Sequence, residues 1–97
     1  MKITTKSGFK FEFDERIVDD WRVLKAIGRA DNKENADEMI SGSVELVGLI
    51  FGKDEQRLIE HIQAKHDGYA PVEALKDELT DVFAKVKAAK NSQSSRA

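Results

Sequence analysis

Apolar residues recur along this chain at two different periods, and the change of period divides it. Near the start Ile3 is followed by an alternating Phe9, Phe11 and Phe13, separated by Lys10 and Glu12. A period of two places the three rings on one face of a strand. Lys6-Ser7-Gly8 lies between the arms and supplies the glycine that a short hairpin loop uses at positive φ. A two-stranded hairpin is marginal alone, so the rings are expected to cover a helix of the same chain. The free edges of the small sheet are places where a second chain could add a strand. From Asp14 the period lengthens to three and four. Asp14 is placed to cap a helix from Glu15 to about Ala30, with Ile17, Val18, Trp21, Leu24 and Ile27 as its buried stripe. Trp21, at the centre of that stripe, is expected in the core, and Gly28 is expected to permit close approach of a neighbour.

The least polar stretch, Asn35 to Gly52, should form the central helix. Ala36, Ile40, Ser43, Val44, Val47, Ile50 and Phe51 fall on one side of it, Asn35 can cap its start, and Gly52 can close its end. Gly42 and Gly48 each cost about 1 kcal/mol relative to alanine inside a helix, which marks them as close-packing points. Asp31-Asn32-Lys33-Glu34 resembles a calcium loop only faintly. Lys33 occupies a ligand position, Ala36 stands where the loop needs glycine, and Gly42 where it needs glutamate. Asp54 is placed to cap a third helix with Leu58, Ile59 and Ile62 inward, ending at Asp67-Gly68. Pro71 suits the first turn of a fourth helix. Its stripe is Val72, Leu75, Leu79, Val82, Phe83 and Val86, with Lys76, Asp77, Glu78, Asp81 and Lys85 on solvated faces. From Asn91 the chain is polar and unpatterned. The fold expected is α+β, an N-terminal β-hairpin packed on a bundle of about four helices, as one domain over 1–90 with a disordered tail over 91–97.

Composition narrows the chemistry. A chain of 97 residues supports one modest core. The absence of cysteine removes disulfides, thiol nucleophiles and the commoner zinc sites. Met1 to Thr5 lacks the apolar run of a signal peptide, and no stretch approaches the ~20 apolar residues of a membrane span. His61 and His66 stand about 140° apart around a helix, which does not suit a shared metal, so both are expected in solvent. No nucleophile with a neighbouring base, phosphate-binding glycine loop or paired acids in an apolar setting is apparent. Catalytic, cofactor and metal residues are therefore not expected, and neither is enzyme activity. Arg57, His61 and Lys65 align at i, i+4 and i+8 after a tight turn, the outline of a helix-turn-helix. A small DNA-binding regulator is thus the alternative function, opposed by Glu55 and Glu60 on the same helix and by a net charge of −2.

The layout as a whole carries a resemblance. Thr5-Lys6-Ser7-Gly8-Phe9-Lys10-Phe11 leads into Asp14 and then Asp19-Asp20-Trp21. An apolar helix ends at Phe51-Gly52, His66-Asp67-Gly68-Tyr69-Ala70-Pro71-Val72 turns into the last helix, and the chain closes on Lys90-Asn91-Ser92 with a serine-rich tail. In this order and spacing the sequence resembles the tail assembly chaperones of long-tailed bacteriophages and prophages, especially those of Gram-positive hosts. The resemblance implies a non-catalytic protein of the infected or lysogenic cell's cytoplasm, absent from the mature virion. It would bind the tape measure protein and support assembly of the major tail protein around it. Self-association is compatible with that role, as is a longer product made by ribosomal frameshifting near Lys90 to Ala97. A chaperone of a helical client needs exposed apolar surface. The partner-binding residues expected from the pattern are Phe83, Val86, Lys87 and Lys90 on the fourth helix, together with the hairpin edge.

Overall fold

The computed structural model describes residues 1–94, with side chains as far as Ala89. Strands β1 (Lys2–Thr4) and β2 (Lys10–Glu12) pair antiparallel with Ile3 opposite Phe11. The loop between them closes through Gly8 N–H to the Thr5 carbonyl and Thr5 N–H to the Phe9 carbonyl, with Gly8 at φ +92°. That is a three-residue connection whose last position suits glycine. Phe9, Phe11 and Phe13 are all buried. Phe9 and Phe11 meet the ring of Phe51 at centroid distances of 5.9 and 4.8 Å, so the hairpin covers a helix end as its alternation required.

The expected first helix is two elements. A 3-10 turn covers Glu15–Asp19, Asp20 is extended at ψ 128°, and helix α1 spans Trp21–Ala30. The break is built from one device used twice. Asp14 accepts from the backbone N–H of Arg16 and binds its guanidinium through two oxygens, and Asp20 does the same with Arg22. Each aspartate is thereby an N-cap, and a cap in the middle of the run starts a new helix. The buried face of α1 is also not the expected one. Val23 and Ala26 are fully buried with Ile27 and Ala30 beside them, whereas Trp21 is 72% exposed and Leu24 is exposed too.

The reason lies in helix α2 (Ala36–Phe51), which Asn35 caps through the Glu38 N–H. A Cβ placed on Gly42 would lie 2.5 Å from the Ala30 nitrogen and 2.9 Å from the Ala26 carbonyl oxygen. Backbones that close admit only small side chains between them, so the Ala26–Ala30 side faces α2 and the bulky side turns outward. Gly28 and Gly48 are different: a Cβ on Gly28 meets nothing, and one on Gly48 meets only the Glu55 carboxylate at 3.4 Å. Neither is a close-packing point. Arg29 secures the pair by donating to Glu38 and Glu45 at 3.0 and 2.6 Å and to Ser41. The buried face of α2 is Gly42, Ser43, Leu46, Val47, Ile50 and Phe51, which leaves Ile40 and Val44 outside.

A 3-10 turn over Gly52–Asp54 leads into α3 (Glu55–Lys65). Asp54 does not cap it; its carboxylate binds Arg57 at 3.1 Å instead. The end of α3 is sealed by Gly68 N–H to the Gln63 carbonyl, with Asp67 at φ +56°, a 6→1 helix terminus with a left-handed residue inside it. Helix α4 runs over Val72–Ser94, so Asn91 to Ser94, expected in the disordered tail, are helical, and 95–97 lie outside the described residues. Leu75, Leu79, Val82 and Val86 join Leu58, Ile62 and the phenylalanines in one core cluster.

Candidate functional site

Two depressions on this frame differ in chemistry. The first lies beside the hairpin tip, where Lys6 and Ser7 meet mostly polar residues of α3 and α4. Thr5 Oγ1 donates to Glu78 Oε1 at 2.8 Å, the Lys6 N–H donates to Asp81 at 2.7 Å, and His61 Nε2 lies 3.1 Å from both the carbonyl oxygen and the hydroxyl of Ser7. Glu78 and Asp81, expected in solvent, are buried because the hairpin tip rests on α4 there. His61 is likewise half-buried, with its ring 5.5 Å from that of Phe9. The Ser7–His61 contact is not that of a nucleophile and base. A carbonyl oxygen only accepts, so Nε2 must carry the proton, leaving no lone pair to take one from Ser7. The serine hydroxyl is 3.1 Å from Thr5 Oγ1, and the group orders as His61 to Ser7 to Thr5 to Glu78. It fastens the hairpin to α3 and α4.

The same docking accounts for two of the three aligned residues Arg57, His61 and Lys65 of α3. The Arg57 guanidinium sits 4.5 Å from the Phe9 ring centre and donates to the Lys10 carbonyl at 2.8 Å. His61 is held by Ser7. The face that a helix-turn-helix would offer to DNA is here turned partly onto the hairpin.

The second depression is apolar, a groove of about 180 Å³ among α2, α3 and the start of α4. Its walls are Ser43, Val44 and Val47 from α2, Ile59 from α3, Ala70 before α4, and Val72 and Leu75 in its first turns, with Glu55 its one charged lining residue. Val44 is 62% and Val72 46% exposed, and Ile40, one turn before Val44, prolongs the apolar strip at 45%. Large apolar side chains left in water cost about 1.5–3 kcal/mol each relative to burial. The strip therefore gains from any apolar surface that covers it.

The residues expected to bind a partner lie elsewhere. Val86 is 6% exposed and belongs to the core, so its side chain has little to offer a partner. Phe83 is half-buried over a hollow shared with Ile27, Leu46 and Leu79, Lys87 is exposed, and the Lys90 side chain lies outside the described residues. The sequence pattern hides the groove, because Ile40, Val44 and Val72 fall on stripes whose period predicts burial. The signal for it was present: α2 carries more apolar positions than one buried face can use, and a helix apolar on more than one side has a face left to cover.

Among the described residues, no group of three or more His, Asp or Glu is arranged to hold a metal ion. Among them too, no helix is long and apolar enough to cross a membrane. Compared with models of protein families, with curated proteins and with solved structures, the chain matches none.

Proposed function

We propose that this chain is a non-catalytic tail assembly chaperone, which holds helical segments of a phage tape measure protein in the bacterial cytoplasm until tail protein assembles around them. The observation that carries the proposal is the apolar groove with Ile40, Val44 and Val72 exposed at its margin. Tape measure proteins are long and helical, and an apolar helix face in an apolar groove is the simplest way to keep such a client from self-association. The groove stands on a frame fastened at several points, so it can stay open to solvent without the fold closing over it. Support also comes from the order and spacing of the sequence motifs described above, in which the chain resembles the tail assembly chaperones.

Co-expression of the tagged chain with the tape measure protein of the same phage or prophage tests the proposal. The expected result is a tape measure protein that moves from the pellet to the soluble fraction and co-purifies with the chain. A client that stays insoluble while the chain purifies alone would overturn it.

A further inference from the structure

The groove is apolar apart from Ser43 and Glu55, and the side of α2 that borders it continues beyond the groove through Ile40 to Asp37; together these define the client that fits it. Asp37, Ile40, Val44 and Gly48 follow one another at steps of three and four along α2, so they share one side of that helix. Asp37 is exposed at the head of this side. At its foot the Glu55 carboxylate lies against Gly48, where a Cβ would come within 3.4 Å of Oε1. Eleven residues of helix separate the two levels, a span of about 16 Å. Among the described residues neither Asp37 nor Glu55 takes part in an ion pair. By contrast Asp14, Asp20, Glu38, Glu45 and Asp54 are each bound to an arginine. No lysine or arginine lines the groove.

From this arrangement we infer that the groove receives an amphipathic helix whose apolar stripe covers about three turns and is bracketed by a basic residue at each end. The inference rests on the chaperone proposal only for the origin of that helix, since the groove's chemistry is independent of it. An apolar stripe on the client would cover Ile40, Val44 and Val72, and its flanking cations would meet Asp37 and Glu55. Burial supplies most of the attraction, while the carboxylates fix position and exclude clients flanked by acids.

The test uses three synthetic helical peptides of about 18 residues. The first has leucines along one face with lysines bracketing them about eleven residues apart. The second replaces those lysines with glutamates, and the third keeps the composition of the first but scatters the leucines around the helix. Binding to the full chain is read by titration calorimetry at low and at high salt. The lysine-bracketed peptide is expected to bind, the glutamate-bracketed one at least tenfold more weakly, and the scattered one not at all. Asp37→Asn and Glu55→Gln should each weaken the first peptide about two- to fivefold at low salt and reduce its salt dependence, in line with exposed ion pairs. Val44→Glu, at an exposed position that leaves the core intact, should abolish binding. Equal binding of the lysine and glutamate peptides would overturn the charge bracket, and full binding to the Val44→Glu variant would overturn the groove as the site. If no peptide binds while the tape measure protein still co-purifies, this inference fails and the chaperone proposal survives. If the lysine peptide binds while the tape measure protein does not, the reverse holds.

Discussion

Gly42 and Gly28 are both helical glycines, and they serve opposite ends. At Gly42 a methyl group would strike the backbone of α1 at 2.5 Å, whereas at Gly28 it would meet nothing. Gly42→Ala should therefore destabilise the fold by about 1–3 kcal/mol through enforced separation of α1 and α2. Gly28→Ala should stabilise it by up to about 1 kcal/mol through helix propensity. Urea unfolding of the two variants checks both signs. The sequence marks a glycine in a helix as exceptional but does not say whether contact or tolerance put it there. Trp21 illustrates the same limit. Its size made it the natural centre of a buried stripe, yet the contact at Gly42 selects for small residues, and Val23, Ala26 and Ala30 win the interior. Periodicity offered both faces, and only the distance between helices decides between them.

At the scale of elements, the hairpin, the central helix and its Asn35 cap, the third helix and the turn at Asp67-Gly68 were all legible, because each rests on local pattern and local chemistry. The break at Asp20 was not, although its residues are local too. Two Asp-x-Arg units stand six residues apart, and an aspartate near a helix start can act as a cap or only as a favourable charge, a choice that the pattern does not make. The side-chain hydrogen bonds of Arg16 and Arg22, reinforced by their backbone N–H groups, hold the Asp14 and Asp20 carboxyls at about 2 against a usual value of 3.8. A carboxyl lowered in the folded state adds stability that is complete above its unfolded value and is lost as pH falls through the folded one. The start of α1 should therefore hold down to about pH 4 and loosen between there and about pH 2. Amide chemical shifts of Arg16 and Arg22 followed by NMR should titrate with midpoints near 2. Midpoints near 3.8 would show that the two pairs do not form in solution.

At the scale of the whole molecule, what the sequence could not show is which distant parts meet. Thr5 and Glu78 are 73 residues apart and joined by a buried hydrogen bond of 2.8 Å. Nothing in the pattern of α4 distinguishes Glu78 or Asp81 from its solvated acids. Thr5→Val should cost about 1–3 kcal/mol by leaving the buried carboxylate without that donor. Adding Glu78→Leu should restore only the part of the loss that comes from the unmet carboxylate, because the buried Phe9 N–H that Thr5 Oγ1 accepts from stays unmet in both variants. Thermal unfolding of the single and double variants reads this directly. The apolar groove belongs to the same scale. It exists because α1 and the hairpin cover other faces of the bundle and leave the Ile40–Val44 side of α2 open.

The measurement that bears most directly on this account is amide hydrogen exchange of the full chain, alone and with the lysine-bracketed helical peptide. Protection is expected along α2 from Asp37 to Gly48, at the start of α3 around Glu55 to Ile59, and at Ala70 to Leu75, with the Phe83 to Lys87 segment and the hairpin unchanged. Protection confined to Phe83 to Lys87 or to the hairpin strands, with α2 unaffected, would contradict it.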